Sequence, residues 1–259
     1  MERDIYSDSL KAEAILSEVR CRYNGYLIFI AISGIGDICY CLSAVEEIKR
    51  ISGKKVLVIT REYTSELLKF YNCVDEVIVL EDDDTKSFRA LMSLQKEKSV
   101  FNKESMKSGL FFCHPLTEES YASIINKEKN YIDIIRKSIK TSGTDFPVTY
   151  PCVPEPMLEK FSFDDLSKAV IINPYSFSLD VDNSAIYGKI VSLLTAKGYT
   201  VYTNITEEQR PLDSTLPLKC SLQEIYHITK KARLFISIRS GIVDFSVSNN
   251  GTFIVLYND

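Results

Sequence analysis

Short apolar runs alternate with amphipathic stretches along most of the chain. The run at 25–33, GYLIFIAIS, is aromatic and β-branched and ends at a glycine, which is typical of a strand buried on both faces. Similar runs predict further strands at 54–60, 74–80, 109–115, 168–176, 199–205, 233–238 and 251–257. Apolar residues at helical spacing predict helices at 9–23, 38–53, 65–71, 88–98, 130–140, 185–198, 221–232 and 242–249.

This alternation predicts β-α-β units and parallel sheets. It is interrupted at 143–156, where four prolines and one glycine favour an extended linker, and it restarts afterwards. The sequence therefore predicts an α/β protein with two Rossmann-like parallel-sheet domains facing a cleft. We expect a leading amphipathic helix at 1–24, an N-terminal domain at 25–145 and a C-terminal domain at 146–259.

Composition narrows the class of protein. The chain has 259 residues, 45% of them hydrophobic, and a net charge of −4, which is the opposite of what a general nucleic-acid binder carries. The N-terminus, MERDIYSDSL, lacks the pattern of a signal peptide, and no apolar run is long enough for a transmembrane segment. We therefore expect a cytoplasmic protein that binds no nucleic acid.

The cysteines and histidines argue against a metal or disulfide scaffold. The seven cysteines are scattered and no C-x-x-C pair occurs, so we expect buried or free thiols. The two histidines, His114 and His227, lie far apart in the sequence. No metal site is predicted.

The first loop with possible chemistry is Gly34-Ile35-Gly36-Asp37, between a strand and a helix. Glycines allow close approach of a ligand, and a helix start favours an anion. The full G-x-G-x-x-G pattern of a dinucleotide site is missing, because Cys39 stands where the third glycine would be. The alternative is a tight turn with Asp37 as the helix N-cap.

Three loops of the second half also follow predicted strands. Hydroxyl groups of Ser176 and Ser178 are suited to phosphate or sugar. In the loop 203–208, which contains Asn204, a carboxylate such as that of Glu207 is suited to the hydroxyls of a ribose, although the loop also resembles an acidic helix start. Arg239-Ser240-Gly241 is the most specific signal, because a small-residue turn beside an arginine suits a diphosphate. The alternative makes Ser240 an N-cap and pairs Arg239 with a carboxylate. The acidic run at 81–84 is interpreted as a solvated turn.

The order of these motifs resembles that of GT-B glycosyltransferases, and most closely the heptosyltransferase-like family (glycosyltransferase family 9). The similar stretches are GIGD after the first strand, VDEVIVL, INPYS, the helix ending in AKGY, and SLQEIYHITKKARLFISIRSG, and they cover about 25–80 and 168–257. The RSG-x-x-D form is also similar to one in uncharacterised bacterial surface-polysaccharide transferases. Short motifs of this kind are most informative through their order.

The chain departs from that family at several positions. Arg239 stands where the heptosyltransferases have Asp, Asp244 where they have His, and Tyr187 near their usual Trp. The sequence stops at Asp259 just after a predicted strand, where GT-B enzymes continue with helices. These departures leave open a C-terminally shortened or inactive member of the family.

The resemblance implies an inverting, metal-independent glycosyltransferase without a cofactor, for polysaccharide biosynthesis. Its partners would be a nucleotide-sugar donor and a glycan or glycolipid acceptor, with peripheral contact at the inner face of the membrane. Asp37 would be the catalytic base, and Gly34 and Gly36 would form the phosphate or acceptor loop. The residues that contact the donor would be Arg239, Ser240, Gly241, Asp244, Ser176, Ser178, Asn204 and Glu207. Two alternatives are a non-catalytic GT-B-like subunit of a partner enzyme and an epimerase-like enzyme acting on nucleotide sugars.

Overall fold

The computed structural model describes residues 2–94, 103–113, 148–159, 161, 165–176 and 184–256. The chain divides into two compact units, Met1–Cys152 and Val153–Asp259. Each unit contains a sheet in which every described strand pair is parallel, as the alternation predicts. The expected domain boundary at 145/146 and the expected helix at 130–140 lie outside the described residues.

The first unit has a sheet of four described strands in the order β3-β2-β1-β4. The strands are β1 (Leu27–Ala31), β2 (Val56–Arg61), β3 (Glu76–Leu80) and β4 (Leu110–Phe112). The helices are α1 (Glu2–Arg22), α2 (Ile35–Ser52), α3 (Glu62–Leu68), α4 (Asp82–Leu94) and α5 (Lys103–Ser108).

The central strands β1 and β2 are buried on both faces of the sheet, since their alternate residues point to opposite sides and all but Arg61 are buried. Ile28 and Ile30 of β1 pack in one core cluster with Leu16 of α1 and Phe88 of α4. On β1, Phe29 points to the other face, and its ring stacks on that of Phe111 with centroids 4.5 Å apart. The leading helix thus packs on the core of its own unit.

The second unit has a sheet of five described strands in the order β7-β6-β5-β8-β9. They are β5 (Ala169–Asn173), β6 (Thr200–Asn204), β7 (Leu216–Leu218), β8 (Leu234–Ile238) and β9 (Phe253–Leu256). The helices are α6 (Ser184–Ala196), α7 (Leu222–Lys231) and α8 (Gly241–Ser246), with 3-10 turns at Leu166–Lys168 and Val247–Asn249.

Helices cover this sheet on both sides as well. Ile171 of β5 packs in one cluster with Ile228 of α7, and Ile172 packs in another with Tyr187 and Val191 of α6. Helix α7 begins with a capping box, in which Ser221 and Glu224 satisfy each other's backbone N–H groups. A layered arrangement of helices on both faces of a parallel sheet is the predicted Rossmann-like architecture.

The structure corrects two expectations about individual elements. The acidic residues Asp82–Asp84 form the first turn of α4 rather than a solvated turn, because carboxylates are favourable at a helix N-terminus. Strand β7 was not predicted: it has three residues and contains Pro217, a residue that argues against a strand except at a sheet edge, where β7 lies. Helix α1 begins at Glu2, seven residues before the helical spacing at 9–23 and within the expected leading segment 1–24.

The described part of the proline-rich segment is held along its length by hydrogen bonds. In the first unit, the N–H of Thr149 donates to Ser43 O at 3.0 Å and that of Cys152 to Phe70 O at 2.7 Å. In the second unit, Gln223 Nε2 donates to Pro154 O at 3.0 Å. The two units therefore divide between Cys152 and Val153, within a described stretch that is hydrogen-bonded to each unit on its own side.

Candidate functional site

The carboxyl end of β1 leads directly into α2, and this junction holds the first predicted loop. Gly34 is the N-cap residue, and the N–H of Ile38 donates to Gly34 O at 3.1 Å, which closes the first helical turn. Gly36 and Asp37 therefore belong to the helix rather than to a loop. The alternative in which Asp37 is the N-cap is wrong, because Asp37 is the third residue of α2.

Asp37 lies over the N-cap glycine. A Cβ atom added to Gly34 would stand 3.8 Å from Asp37 Oδ2, so the carboxylate folds back towards the start of its own helix. The Asp37 side chain is half-buried, and Cys41 follows one turn later. The neighbouring Cys113 thiol, burial and the Asp37 charge raise the pKa of Cys41 well above its usual range, so this thiol stays protonated.

Side chains tie this junction to the ends of the neighbouring strands. Ser33 Oγ donates to Cys113 O at 3.0 Å, and Arg61 Nη2 donates to Ser33 O at 3.0 Å. Burial and the nearby charge of Arg89 lower the pKa of Arg61 from its usual value, and its guanidinium lies 5.2 Å above the ring of Tyr63. Arg61, which sequence analysis did not single out, thus supports the segment that leads to Gly34.

In the second unit, a row of polar side chains crosses the carboxyl ends of the strands. Asn204 Nδ2, at the end of β6, donates to Asn173 Oδ1, at the end of β5, at 2.9 Å. Asn173 Nδ2 in turn lies 3.0 Å from Ser237 Oγ on β8 and 3.3 Å from Ser240 Oγ in the next loop. The structure therefore brings together two predicted site residues, Asn204 and Ser240, through Asn173.

Asn173 and Ser237 were not predicted as site residues. Both are almost completely buried, with 2% and 0% of their surface exposed. The available signal in the sequence was a polar residue at the end of an otherwise apolar strand. Because parallel strands end at the same edge of a sheet, such residues meet only once the strand order is known.

The loop after β8 has Arg239, Ser240 and Gly241 at the same edge. Ser240 occupies the N-cap position of α8, as the alternative proposed, but its side chain makes no capping hydrogen bond. Arg239 is exposed and forms no ion pair within the part of the chain that the structure describes, so the predicted alternative of a salt bridge is wrong for those residues. Asp244 lies half-buried in the first turn of α8.

The remaining predicted donor residues are Glu207, Ser176 and Ser178. Glu207 is bound by Lys219 at 2.7 Å, with 86% of its side chain exposed, and it forms no helix start, because residues 207–208 are in a turn. The structure therefore does not place it among the buried polar residues. Ser176 lies half-buried three residues after Asn173, whereas Ser178 lies outside the described residues.

Tyr187 lies on α6 with only 1% of its surface exposed. Burial raises the pKa of Tyr187 to about 12, and the backbone of Ile238, the residue before Arg239, partly opposes this rise. The phenol makes no hydrogen bond of good geometry with another described residue. Tyr187 therefore acts as packing beneath the strand that carries Arg239.

A cavity of about 440 Å³ opens at the opposite, amino edge of the second sheet. Its lining comprises Val170, Leu194, Tyr199, Arg233, Leu234 and Thr252. These residues belong to strand starts and to helix α6, so the cavity is separate from the polar row at the strand ends. The carboxyl edge remains the candidate functional site, because ligands of parallel sheets bind there.

The described residues include neither a metal-binding cluster nor a membrane-spanning helix. No group of three or more His, Cys, Asp or Glu side chains among them is arranged to hold a metal ion. None of the described helices is long and apolar enough to cross a bilayer. No disulfide joins the seven cysteines, all of which lie within the described residues, and four of them are buried.

Comparison of the fold with solved structures finds glycosyltransferases. A glycosyl transferase family 9 protein from Veillonella parvula superposes with a TM-score of 0.58 at 9% identity, covering 90% of this chain and 81% of that one. E. coli ADP-heptose lps heptosyltransferase II gives 0.58 at 14% identity, covering 89% and 84%. E. coli heptosyltransferase WaaC with ADP gives 0.54 at 14% identity, covering 89% and 86%.

The chain therefore has the α/β fold of the heptosyltransferase-like glycosyltransferase family 9, which confirms the fold that the order of motifs implied. At 9–14% identity, the likeness defines the fold alone. No protein-family model matches the sequence, and no curated protein matches it.

Proposed function

We propose that this protein is a glycosyltransferase that moves a sugar from a nucleotide-sugar donor to a hydroxyl of a glycan or glycolipid acceptor. The observation that carries the proposal is the fold: structures named as family 9 glycosyltransferase and as heptosyltransferases cover about nine tenths of the chain. The structure of E. coli heptosyltransferase WaaC contains ADP, and a second structure of WaaC contains ADP-2-deoxy-2-fluoro heptose. A nucleoside diphosphate sugar is accordingly the class of donor that we propose.

The second unit is the proposed donor side. Arg239 is exposed and unpaired within the described residues, so its guanidinium is available for a diphosphate, which it can bind with two parallel hydrogen bonds. Ser240 and Gly241 follow it in the same loop, and Asn204 and Ser176 lie at neighbouring strand ends. Ser178 and Asp244 are further proposed donor contacts. Glu207 can contribute only after its exposed ion pair with Lys219 opens.

The first unit is the proposed acceptor side, with Asp37 as the base. The acceptor oxygen attacks the anomeric carbon, the bond from that carbon to the diphosphate oxygen breaks, and Asp37 takes the proton of the acceptor hydroxyl. A hydroxyl is a poor nucleophile until a base accepts its proton, so a positioned carboxylate accelerates the step. Attack opposite the leaving group inverts the anomeric centre. Gly34, the exposed N-cap residue, and Gly36, in the first turn of α2, form the proposed phosphate or acceptor loop.

The departing nucleoside diphosphate gains negative charge in the transition state. Arg239 and the N–H groups of its loop are the proposed stabilising groups, and this stabilisation requires no metal ion. We also propose that the protein catalyses this transfer at the inner face of the cytoplasmic membrane, where a glycolipid acceptor would be presented.

The direct test is a thermal-shift panel of ADP, GDP, UDP and CDP, with their sugar conjugates, on the purified protein. A ligand at a hundredfold excess over its Kd stabilises the folded state by about 2.7 kcal/mol, so one nucleotide should raise the melting temperature selectively. Transfer from the selected donor to a glycan acceptor would establish the activity. If the protein binds none of these nucleotides or nucleotide sugars, the alternative of a non-catalytic subunit is favoured. If the protein epimerises the donor when no acceptor is present, the alternative of an epimerase-like enzyme is favoured.

A further inference from the structure

The polar row in the second unit is continuous across four neighbouring strands. It runs from Cys220, just after β7, through Asn204 and Asn173 to the loop after β8. Cys220 Sγ donates to Asn204 Oδ1 at 3.5 Å, and Asn204 Nδ2 donates to Asn173 Oδ1 at 2.9 Å. Asn173 is the member that links strands on both sides, because β5 lies between β6 and β8 in the sheet.

The amide nitrogen of Asn173 has three acceptors within reach. They are Ser237 Oγ at 3.0 Å, Ser240 Oγ at 3.3 Å and Tyr175 O at 3.3 Å. An amide carries two hydrogens, so the bonds are shared, and the nitrogen holds two loops at once: its own, through Tyr175, and the loop after β8, through Ser240. The side chain is almost fully buried, which makes loss of these bonds costly.

The Ser240 hydroxyl is held by this amide and by Ser237. Serine at an N-cap normally accepts from a backbone N–H of the helix, but the Ser240 side chain makes no such bond. Its Oγ instead lies 3.3 Å from Asn173 Nδ2 and 3.4 Å from Ser237 Oγ. The neighbours Arg239 and Gly241 are covalently joined to Ser240, so the amide also restricts where they lie.

We infer that Asn173 is a positioning residue for the donor site. It does not touch the donor but holds the Arg239–Gly241 loop, through Ser240, in the conformation that binds a nucleoside diphosphate. This inference rests on the proposed function and adds to it a residue that is almost closed to solvent. The physical reason is preorganisation: a loop already held in its bound conformation loses less conformational entropy when the ligand binds.

The test is a double-mutant cycle on nucleotide affinity. Asn173→Ala, Ser240→Ala and the double variant are titrated with the nucleoside diphosphate among ADP, GDP, UDP and CDP that most stabilises the wild type. We expect each single variant to weaken binding about tenfold. The double variant should be no weaker than the worse single one, because both changes break the same link. If Asn173→Ala does not fold, Asn173→Ser replaces it in the cycle.

Asn249→Ala is the matched control. Asn249 is another buried asparagine of the same unit, and it holds a different turn by donating to Tyr226 O at 2.6 Å and accepting from Gly251 N at 2.8 Å. Its loss should lower the melting temperature and leave nucleotide affinity unchanged. Hydrogen exchange of the 239–246 peptide, without ligand, should become faster in Asn173→Ala and not in Asn249→Ala.

Each outcome decides one proposal. Wild-type affinity in Asn173→Ala, additive losses in the cycle, or an equal loss in Asn249→Ala would overturn the positioning role while the proposed function stands. A wild-type protein that binds no nucleoside diphosphate would overturn the proposed function and, with it, the donor-positioning role. Faster exchange, non-additive losses and an unaffected control together support the inference.

Discussion

At the residue scale, two arginines stand at opposite ends of strand β8. Arg239 follows the strand at its carboxyl end, beside the polar row, and Arg233 precedes it at the amino end, where it lines the 440 Å³ cavity. Both are exposed. Mutating each arginine separately therefore tests which edge of the second sheet binds an anionic ligand.

We expect Arg239→Ala to weaken nucleoside diphosphate binding by about tenfold to a hundredfold, because a charge-assisted hydrogen bond to the diphosphate is lost. Arg233→Ala should leave the affinity unchanged. Isothermal titration of both folded variants measures the difference. If only Arg233→Ala loses affinity, the nucleotide binds at the amino edge of the sheet. If both variants keep the wild-type affinity, neither arginine contacts the nucleotide.

Asp37 gives a second prediction at this scale. If it is the base, Asp37→Asn should reduce the rate of sugar transfer about 10²- to 10⁴-fold, since the amide cannot accept the proton. Donor affinity should be retained. Because Gly34 is the N-cap, the variant keeps the cap and loses a favourable charge near the helix N-terminus, which is worth about 0.3–1 kcal/mol of unfolding free energy.

The matched control is Asp82→Asn, which removes an exposed carboxylate from the first turn of α4 in the same unit. It should affect stability similarly and leave transfer unchanged. Steady-state rates with saturating donor measure both variants. Full activity in Asp37→Asn would end the assignment of Asp37 as the base.

At the element scale, Gly251 shows how closely a turn packs against a helix end. A Cβ atom there would lie 2.6 Å from Thr229 O in the last turns of α7 and 2.9 Å from Asn249 Oδ1. We expect Gly251→Ala to lower the free energy of unfolding by about 1–3 kcal/mol, because the backbone must move to relieve the overlap.

The control for this prediction is Gly188→Ala. Gly188 lies in helix α6, and a Cβ atom added to it has no neighbour within 4 Å. Alanine is favoured over glycine in a helix by about 1 kcal/mol, so this variant should be more stable than the wild type. Urea unfolding measures both changes, and equal effects would show that the turn is less tightly packed than the structure indicates.

The sequence predicts which segments are helices and which are strands more reliably than it predicts where each one begins and ends. The alternation of apolar residues predicted strands and helices because burial imposes a period of two or of 3.6 on any chain. The starts of α2 and α4 were predicted too late, because Gly34 and the carboxylates of 82–84 resemble a turn when they are considered alone. Only backbone hydrogen bonds decide where such a turn becomes a helix.

At the scale of the whole molecule, the proposed chemistry predicts resistance to metal removal. In the proposed reaction, Arg239 and backbone N–H groups stabilise the leaving diphosphate. Transfer by the full chain should therefore be unchanged after treatment with excess EDTA. A loss of activity that Mg²⁺ or Mn²⁺ restores would contradict the metal-independent mechanism without contradicting glycosyl transfer. A loss that no metal restores would point to damage of the protein by the treatment.

The sequence by itself determined that this is an α/β protein with two parallel sheets, and the order of its motifs indicated the correct fold. Both depend on features close together along the chain: the period of apolar residues and the turns between runs. It also predicts Arg239 and Asn204 as candidate site residues, because each lies at the carboxyl end of a recognisable strand.

Only the tertiary structure decided which strand ends are neighbours. The order β7-β6-β5-β8-β9 brings residues 173, 204 and 237 together although up to 64 positions separate them in the chain. Strand order depends on how whole layers pack, so no local pattern contains it. The same packing turned Glu207 towards Lys219 and left Ser240 to bond with Asn173 instead of capping its own helix.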